Sequence, residues 1–201
     1  MKMTMFDRVL LLITGLLAAY QIVVGIDQLS TAPIIAYTIA FGVLLVAGIL
    51  LIILGFEVLN SPIVVIVSTI IPLALSLGLV WEHFASFRTS FLIFTIVSFL
   101  AVTLTRSIPM QSKLPVITIA VTHGIAGMTI FLLPIILSLQ GQTKPMFALV
   151  SIGGGLIGIL GLLLSFLKTG KPILSRDTIM RLFPSLLLVT TVLFVAGFKY
   201  G

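Results

Sequence analysis

His123 is the one ionisable side chain well inside a long apolar segment, within the stretch Ala120–Gly127. A histidine in that setting can transfer protons, ligate haem or hydrogen-bond a substrate. It can equally be a neutral imidazole bonded to a neighbouring helix, with Gly124 and Gly127 letting that helix approach closely. The sequence leaves these alternatives open.

Haem ligation by two histidines would require His83, the only other histidine of the chain. At 1.5 Å per residue, His83 lies about 32 Å along its helix from Pro62, and His123 lies about 12 Å from Pro115 in the same direction. One iron cannot bridge the difference of about 20 Å. The chain has no cysteine, which excludes disulfides and thiolate metal sites. No cofactor is predicted.

The carboxylates do not support an ion or proton pathway, because each falls at a predicted helix end or in a loop. They are Asp7, Asp27, Glu57, Glu82 and Asp177. Catalytic motifs such as H-E-x-x-H, G-x-S-x-G and the P-loop are also missing from the sequence. We therefore do not expect an enzyme, although an intramembrane enzyme acting on lipid or prenyl substrates stays as a minor alternative.

Uncharged polar residues within the apolar segments are the remaining candidates for contact with a ligand. They could line a pathway for a small solute, and they comprise Tyr20, Gln21, Tyr37, Ser68, Thr95, Ser98, Thr122, His123 and Thr190. Among them, His123, Thr122, Tyr37 and Gln21 are predicted to bind the substrate. The polar run Trp81–Phe84 is predicted to be an interfacial anchor, as is common for aromatic residues at membrane boundaries.

The composition decides what kind of element must position these residues. Of 201 residues, 60% are hydrophobic and 8% charged, whereas a soluble domain carries about 25% charged residues. The mean hydropathy is +1.36. Backbone groups in a bilayer must be satisfied within the segment, so long apolar runs are helices. The sequence predicts an all-α, polytopic integral membrane protein with no soluble domain.

Seven transmembrane helices are predicted, with bounds set by the apolar runs and by proline at several starts. The spans are 9–26, 33–56, 62–81, 89–105, 114–139, 145–167 and 182–198. Connections are short, so any site must lie in or at the membrane.

The distribution of basic residues predicts the orientation, because cytoplasmic loops are enriched in Lys and Arg. With the N-terminus inside, the inner side holds Lys2, Arg8, Arg106, Lys113, Lys168, Lys171, Arg176 and Arg181. The outer side holds Arg88, Lys144 and Lys199. The prediction is N-in and C-out in the cell membrane. The net charge of +6 is explained by this bias, without any nucleic-acid partner.

An internal similarity at an offset of 110 residues is consistent with a parallel 3+1+3 repeat. Seven identities join two windows: Gly48, Ile49, Leu50, Leu54, Phe56, Pro62 and Ile63 match Gly158, Ile159, Leu160, Leu164, Phe166, Pro172 and Ile173. Apolar segments also match by coincidence. A real duplication would make helices one to three equivalent to helices five to seven, with the fourth helix outside both units. Parallel repeats of this kind build some transporters.

The sixth predicted helix carries a small-residue pattern. Gly154 and Gly158 form a GxxxG pair and Gly161 extends it. Close backbone approach through glycine drives helix packing in lipid. These three glycines are therefore predicted to form a helix-packing face, within the chain or in a homo-oligomer.

Two functions fit the sequence about equally. One is a small-solute transporter or channel whose pathway lies between two three-helix units. The other is a non-catalytic subunit or assembly factor of a larger membrane complex. Membrane lipids are partners in both cases, and the two differ in whether the purified protein acts alone.

Overall fold

The computed structural model describes residues 3–26, 29–168 and 172–201. Within them the chain is helical and contains no strand. The seven long helices are α1 (Met5–Val24), α2 (Thr31–Leu54), α3 (Pro62–His83), α4 (Arg88–Ser107), α5 (Leu114–Leu139), α6 (Ala148–Lys168) and α7 (Arg176–Tyr200). Short 3₁₀ segments at Phe56–Asn60, Ala85–Phe87 and Pro145–Phe147 precede α3, α4 and α6.

All seven long helices are long and apolar enough to cross a membrane. The bounds of α5 agree with the predicted span 114–139. α1 begins four residues earlier than predicted because Thr4 and Asp7 form a capping box, in which Asp7 Oδ2 accepts from the Thr4 backbone N–H at 2.8 Å. α1 and α2 end two residues earlier than predicted, at Gly25 and Gly55 with positive φ, a conformation that glycine adopts readily.

The largest difference in helix bounds is at α7, which begins at Arg176 rather than at Leu182. Ser175 is its N-cap and accepts a hydrogen bond from the Thr178 backbone N–H at 3.1 Å. A hydropathy criterion starts a span at the first continuous apolar run, so it excluded the charged first turns of this helix.

The helices run up and down, so the bundle has two ends. We call the end where α1, α3, α5 and α7 begin the N-end, and the opposite end, where α2, α4 and α6 begin, the C-end. The Lys199 ammonium near the end of α7 donates to Tyr20 Oη near the end of α1 at 2.5 Å, which places both helix ends at the C-end.

Six helices form a closed ring in the order α1, α2, α3, α5, α6, α7, with α7 packing back onto α1. α4 packs on α3 and α5 from outside. Only 6% of the most apolar window of α4 is buried, against 50% for α7. The core inside the ring is apolar, and its largest fully buried side chains include Phe41, Leu79, Ile130 and Leu137.

Within the chain, only one of the three glycines of the predicted α6 packing face contacts another helix closely. Gly154 packs closely, since a Cβ there would lie 2.7 Å from Ile130 Cγ2 of α5. Gly158 and Gly161 are exposed, and a Cβ at either would meet nothing within 4 Å. α6 touches its neighbours instead through the consecutive residues Gly153–Gly155. α5 and α6 therefore meet near Gly154 and diverge toward the N-end, which the GxxxG spacing does not reveal.

Candidate functional site

An aromatic cluster closes the inside of the ring at the C-end. The Phe198 ring of α7 lies 4.5 Å from the Tyr37 ring of α2 and 6.2 Å from the rings of Phe41 and Phe147. The Phe147 ring in turn lies 5.5 Å from the His83 ring of α3. α2 and α7 are not neighbours in the ring, so the Tyr37–Phe198 contact crosses its interior. We call these five residues the C-end cluster.

Tyr37 fits into the cluster because α3 has a glycine opposite it. A Cβ at Gly78 would lie 2.6 Å from Tyr37 Cε1, so any larger residue would displace the ring toward Phe198. Tyr37 is 4% exposed. No local sequence pattern singles out Gly78, because its partner is 41 residues away in the chain.

Ionisable groups border the cluster on its α3 side. The Glu82 carboxylate lies within electrostatic range of both the Tyr37 hydroxyl and the His83 imidazole. Ser30, at the N-cap of α2, donates to Glu82 Oε2 at 3.3 Å. Glu82 and His83 were predicted only as interfacial anchors, and the structure places them beside a predicted site residue.

Gln21 lies next to the C-end cluster in a small cavity between α1 and α2. The cavity has a volume of about 10 Å³ and is lined by Gln21, Gly25, Ile26, Ile34, Tyr37, Thr38 and Phe41. That volume holds about one water molecule. Gln21 Nε2 donates to the Gly25 carbonyl at 2.9 Å, so the side-chain amide satisfies the carbonyl of the C-cap residue of α1. The structure thus brings together two predicted site residues, Gln21 and Tyr37.

Thr122 and His123 form a separate pair on α5. They lie eight and nine residues from the N-end start of α5, about 12–14 Å along the axis, whereas Gln21 lies about 24 Å along the parallel helix α1. Thr122 is buried and His123 is half-buried. The four predicted substrate-binding residues therefore occupy two levels of the bundle and do not make one site.

His123 faces the gap where α5 and α6 diverge. It lies seven residues, or two turns, before Ile130 and so shares the face of α5 that meets Gly154. Its Nδ1 lies 3.2 Å from the Ile119 carbonyl of its own helix. Gly124 and Gly127 of α5 would also meet nothing within 4 Å with a Cβ added.

Most in-span hydroxyls are satisfied on their own helices and do not converge. Thr14, Thr69, Thr95 and Thr191 each donate to the carbonyl four residues earlier at 2.8–2.9 Å. Thr190 of α7 is an exception, since it is 2% exposed and its Oγ1 has no hydrogen-bond partner among the described residues.

The N-end of the ring is closed by a second aromatic contact. The Phe56 ring, just after α2, lies 6.2 Å from the Phe183 ring of α7 in an edge-on arrangement. Ile179 and Met180 of α7 are buried beside it. Aromatic contacts therefore lie toward both ends of the ring, and the core between them is mainly apolar.

No group of three His, Cys, Asp or Glu side chains that could hold a metal ion occurs in the part of the chain that the structure describes. Comparison of the chain with protein-family models, with curated proteins and with solved structures finds no match.

Proposed function

We propose that this protein is a multi-pass cell-membrane carrier or channel for a small polar solute, with its pathway between the unit α1–α3 and the unit α5–α7. The observation that carries the proposal is the six-helix ring closed by aromatic contacts at both ends. A carrier passing between its inward-open and outward-open forms has such a state, in which neither end admits solvent.

The membrane setting rests on the seven long apolar helices. The basic residues then set the orientation, because eight of the eleven Lys and Arg residues belong to the N-end side of this topology. The N-end faces the cytoplasm and the C-end faces outward. In this arrangement the C-end cluster is the outer gate and the Phe56–Phe183 contact is the inner gate.

The pattern of helix contacts supports two equivalent units. Within the units, the contact of α1 with α2 corresponds to that of α5 with α6, and the contact of α2 with α3 corresponds to that of α6 with α7. Between the units, the contact of α1 with α7 corresponds to that of α5 with α3. Exchanging the units therefore maps the ring onto itself. α4 lies outside the ring. Two three-helix units with the same orientation need a connecting helix that crosses the membrane once more, and α4 is in the place expected for such a connector. Two such units can rock against each other about the pathway between them.

The aromatic contacts share this correspondence in part. The Tyr37–Phe198 contact joins α2 to α7, the two helices that flank α1. The Phe147–His83 contact joins the start of α6 to α3, the two helices that flank α5. Tyr37 and Phe147 are 110 residues apart, the offset of the internal similarity.

The glycines and prolines of that similarity do not occupy matching environments. Gly48 is buried near the Leu11 carbonyl, while Gly158 is exposed. Pro62 begins α3, whereas Pro172 precedes α7 by four residues. The two-unit proposal thus rests on the helix contacts rather than on those identities.

A neutral solute fits the groups along the ring best. The described carboxylates lie at helix ends, as Glu82 does at the C-end and Asp177 at the N-end. The interior is mainly apolar and aromatic, with single buried hydroxyls such as those of Tyr37 and Thr190, and the Gln21 amide lies beside the C-end cluster. Moving an ion through such an interior is costly because nothing compensates its charge, while a small polyol or amide can exchange its hydrogen bonds for those of the pathway.

Solute flux into liposomes tests the proposal. Purified protein is reconstituted, and entry of glycerol and of urea is followed by stopped-flow light scattering. We expect at least one solute to enter faster than into protein-free liposomes. Entry at the protein-free rate for both solutes, with the protein folded and correctly inserted, would count against a pathway.

The alternative is a non-catalytic subunit or assembly factor, and a specific observation favours it. Gly124 and Gly127 on α5, and Gly158 and Gly161 on α6, leave backbone open on the outside of the ring, where another helix could approach closely. The subunit hypothesis predicts that mild-detergent extraction from the native membrane recovers a stoichiometric partner. It also predicts no flux from the protein alone.

A further inference from the structure

Arg106 occupies an unusual position for a charged residue at the N-end. It belongs to the last turn of α4, on the face that also carries the buried residues Val102 and Thr105. That face packs on α3 and α5. The side chain is half-buried, and its Nε is fully buried.

The Arg106 Nε has no hydrogen-bond partner among the described residues. The carboxylates described are occupied or distant: Asp7 is bound to Thr4 in the α1 capping box, Glu82 lies at the C-end, and Asp177 lies on α7. Glu57, which precedes α3, is exposed. A buried guanidinium nitrogen without an acceptor is costly, and an anion bound at this place would remove that cost.

The surroundings of Arg106 favour an anion. α3 and α5 both begin at this end, and neither N-cap residue, Ser61 or Lys113, makes a side-chain capping hydrogen bond. At α5 the first N–H groups are nevertheless bonded, Leu114 to Ser112 Oγ at 3.4 Å and both Val116 and Ile117 to the Lys113 carbonyl at 3.1 Å. The uncapped positive dipole end beside α4 is therefore that of α3. Lys113 adds a full positive charge on the adjoining connection.

The apolar side of α4 indicates that the anion belongs to a lipid. Leu104 is 59% exposed, and Leu100 one turn earlier is also exposed. These two leucines lie on the sides of α4 that face away from Arg106, and they show that α4 borders lipid. The Arg106 side chain, partly exposed at the end of this peripheral helix, can be reached by a headgroup at the level of the membrane boundary. The cytoplasmic leaflet, which the N-end faces in the proposed orientation, is the one rich in anionic lipid.

We propose that Arg106, with Lys113 and the N-terminal end of α3, binds the phosphate of an anionic phospholipid from the cytoplasmic leaflet. Arginine suits this role because its planar guanidinium matches phosphate oxygens in pairs. The site does not depend on solute transport, and it would be present in a transporter or in an accessory subunit.

Thermal unfolding in detergent tests the proposal, with phosphatidylglycerol compared with phosphatidylcholine. For the unaltered protein we expect phosphatidylglycerol at about 100 times its Kd to raise the Tm by roughly 5–10 °C relative to phosphatidylcholine. Arg106→Gln should abolish this difference. In phosphatidylcholine the substitution should change the Tm less, because the choline group of that headgroup offsets the charge of its phosphate.

Arg8→Gln is the matched control, since Arg8 is an exposed arginine at the same end of the bundle. It should retain the full response to phosphatidylglycerol. If Arg106→Gln does not fold, Arg106→Lys should fold and respond more weakly than the unaltered protein. The proposal is overturned if Arg106→Gln and Arg8→Gln respond equally, or if inorganic phosphate alone reproduces the whole shift. Loss of the response to phosphatidylglycerol in Glu57→Gln would also overturn the proposal, because the exposed Glu57 carboxylate has no part in the proposed phosphate site.

Discussion

Gly197 marks the closest approach between α6 and α7. A Cβ at this position would lie 2.8 Å from the backbone nitrogen of Val150 and 2.6 Å from its Cγ2. Backbone cannot move aside as a flexible side chain can, so the two helices would have to separate. We expect Gly197→Ala to destabilise the protein by about 1–3 kcal/mol, visible as a lower Tm in detergent.

Gly158→Ala is the control for that prediction and corrects the expectation from the GxxxG pattern. Gly158 faces open space, and alanine has a higher helix propensity than glycine. The Tm should stay unchanged or rise. An equal loss of stability in both variants would mean that α6 does not contact α7 as described.

Thr190 is a buried hydroxyl without a partner, and its neighbour Thr191 provides a comparison. Thr191 is equally buried, but its hydroxyl donates to the Leu187 carbonyl at 2.8 Å. An unsatisfied buried polar group costs about 1–3 kcal/mol. Thr190→Val should therefore unfold at a higher temperature than Thr191→Val in the same detergent. The reverse order would show that the Thr190 hydroxyl has a partner.

At the level of residues, the sequence identified polar candidates but not their neighbours. Gln21 and Tyr37 do lie together, on consecutive helices. The contact of Tyr37 with Phe198 joins residues 161 positions apart, and no local pattern indicates it. Gly154 and Gly158 share one sequence motif, yet they differ in environment because the crossing point of α5 and α6 is set by the whole bundle.

At the level of helices, the connections between them can be tested directly. The chain has no cysteine, so single cysteines report their own positions. Cysteines at Ser30 and Lys144, at the C-end, should react with an impermeant thiol reagent from outside the cell. A cysteine at Ser107, at the N-end, should react only after the membrane is opened. Labelling of Ser107→Cys from outside would contradict the N-in orientation.

Hydropathy predicted the number of helices and most of their bounds, because long apolar runs are an unambiguous signal. It failed where charged residues enter a helix. Arg176, Asp177 and Arg181 belong to α7, and the Ser175 cap that starts the helix lies outside the apolar run. The prediction also placed the 3₁₀ segment Pro145–Phe147, and the first residue of the 3₁₀ segment Phe56–Asn60, inside the longer spans.

At the level of the whole molecule, the order of the helices around the ring was beyond the sequence. Seven predicted spans allow many arrangements, and the choice depends on side-chain contacts such as Gly154 with Ile130 and Gly197 with Val150. The peripheral place of α4 agrees with the position expected for a connector between two units. His123, the leading candidate by residue type, lies at a different level of the bundle from Gln21.

The central claim is that solute passes between the two units through the C-end cluster. Cysteines replacing Tyr37 and Phe198, whose rings are 4.5 Å apart, can be joined by a short, reducible bifunctional thiol reagent. The single variants Tyr37→Cys and Phe198→Cys, treated with the same reagent, control for modification without cross-linking.

Glycerol and urea entry into proteoliposomes is then measured before cross-linking, after it, and after reduction. We predict entry above the protein-free rate, its loss on cross-linking of the double variant alone, and its recovery on reduction. Entry that continues undiminished after complete cross-linking would contradict a pathway through this cluster.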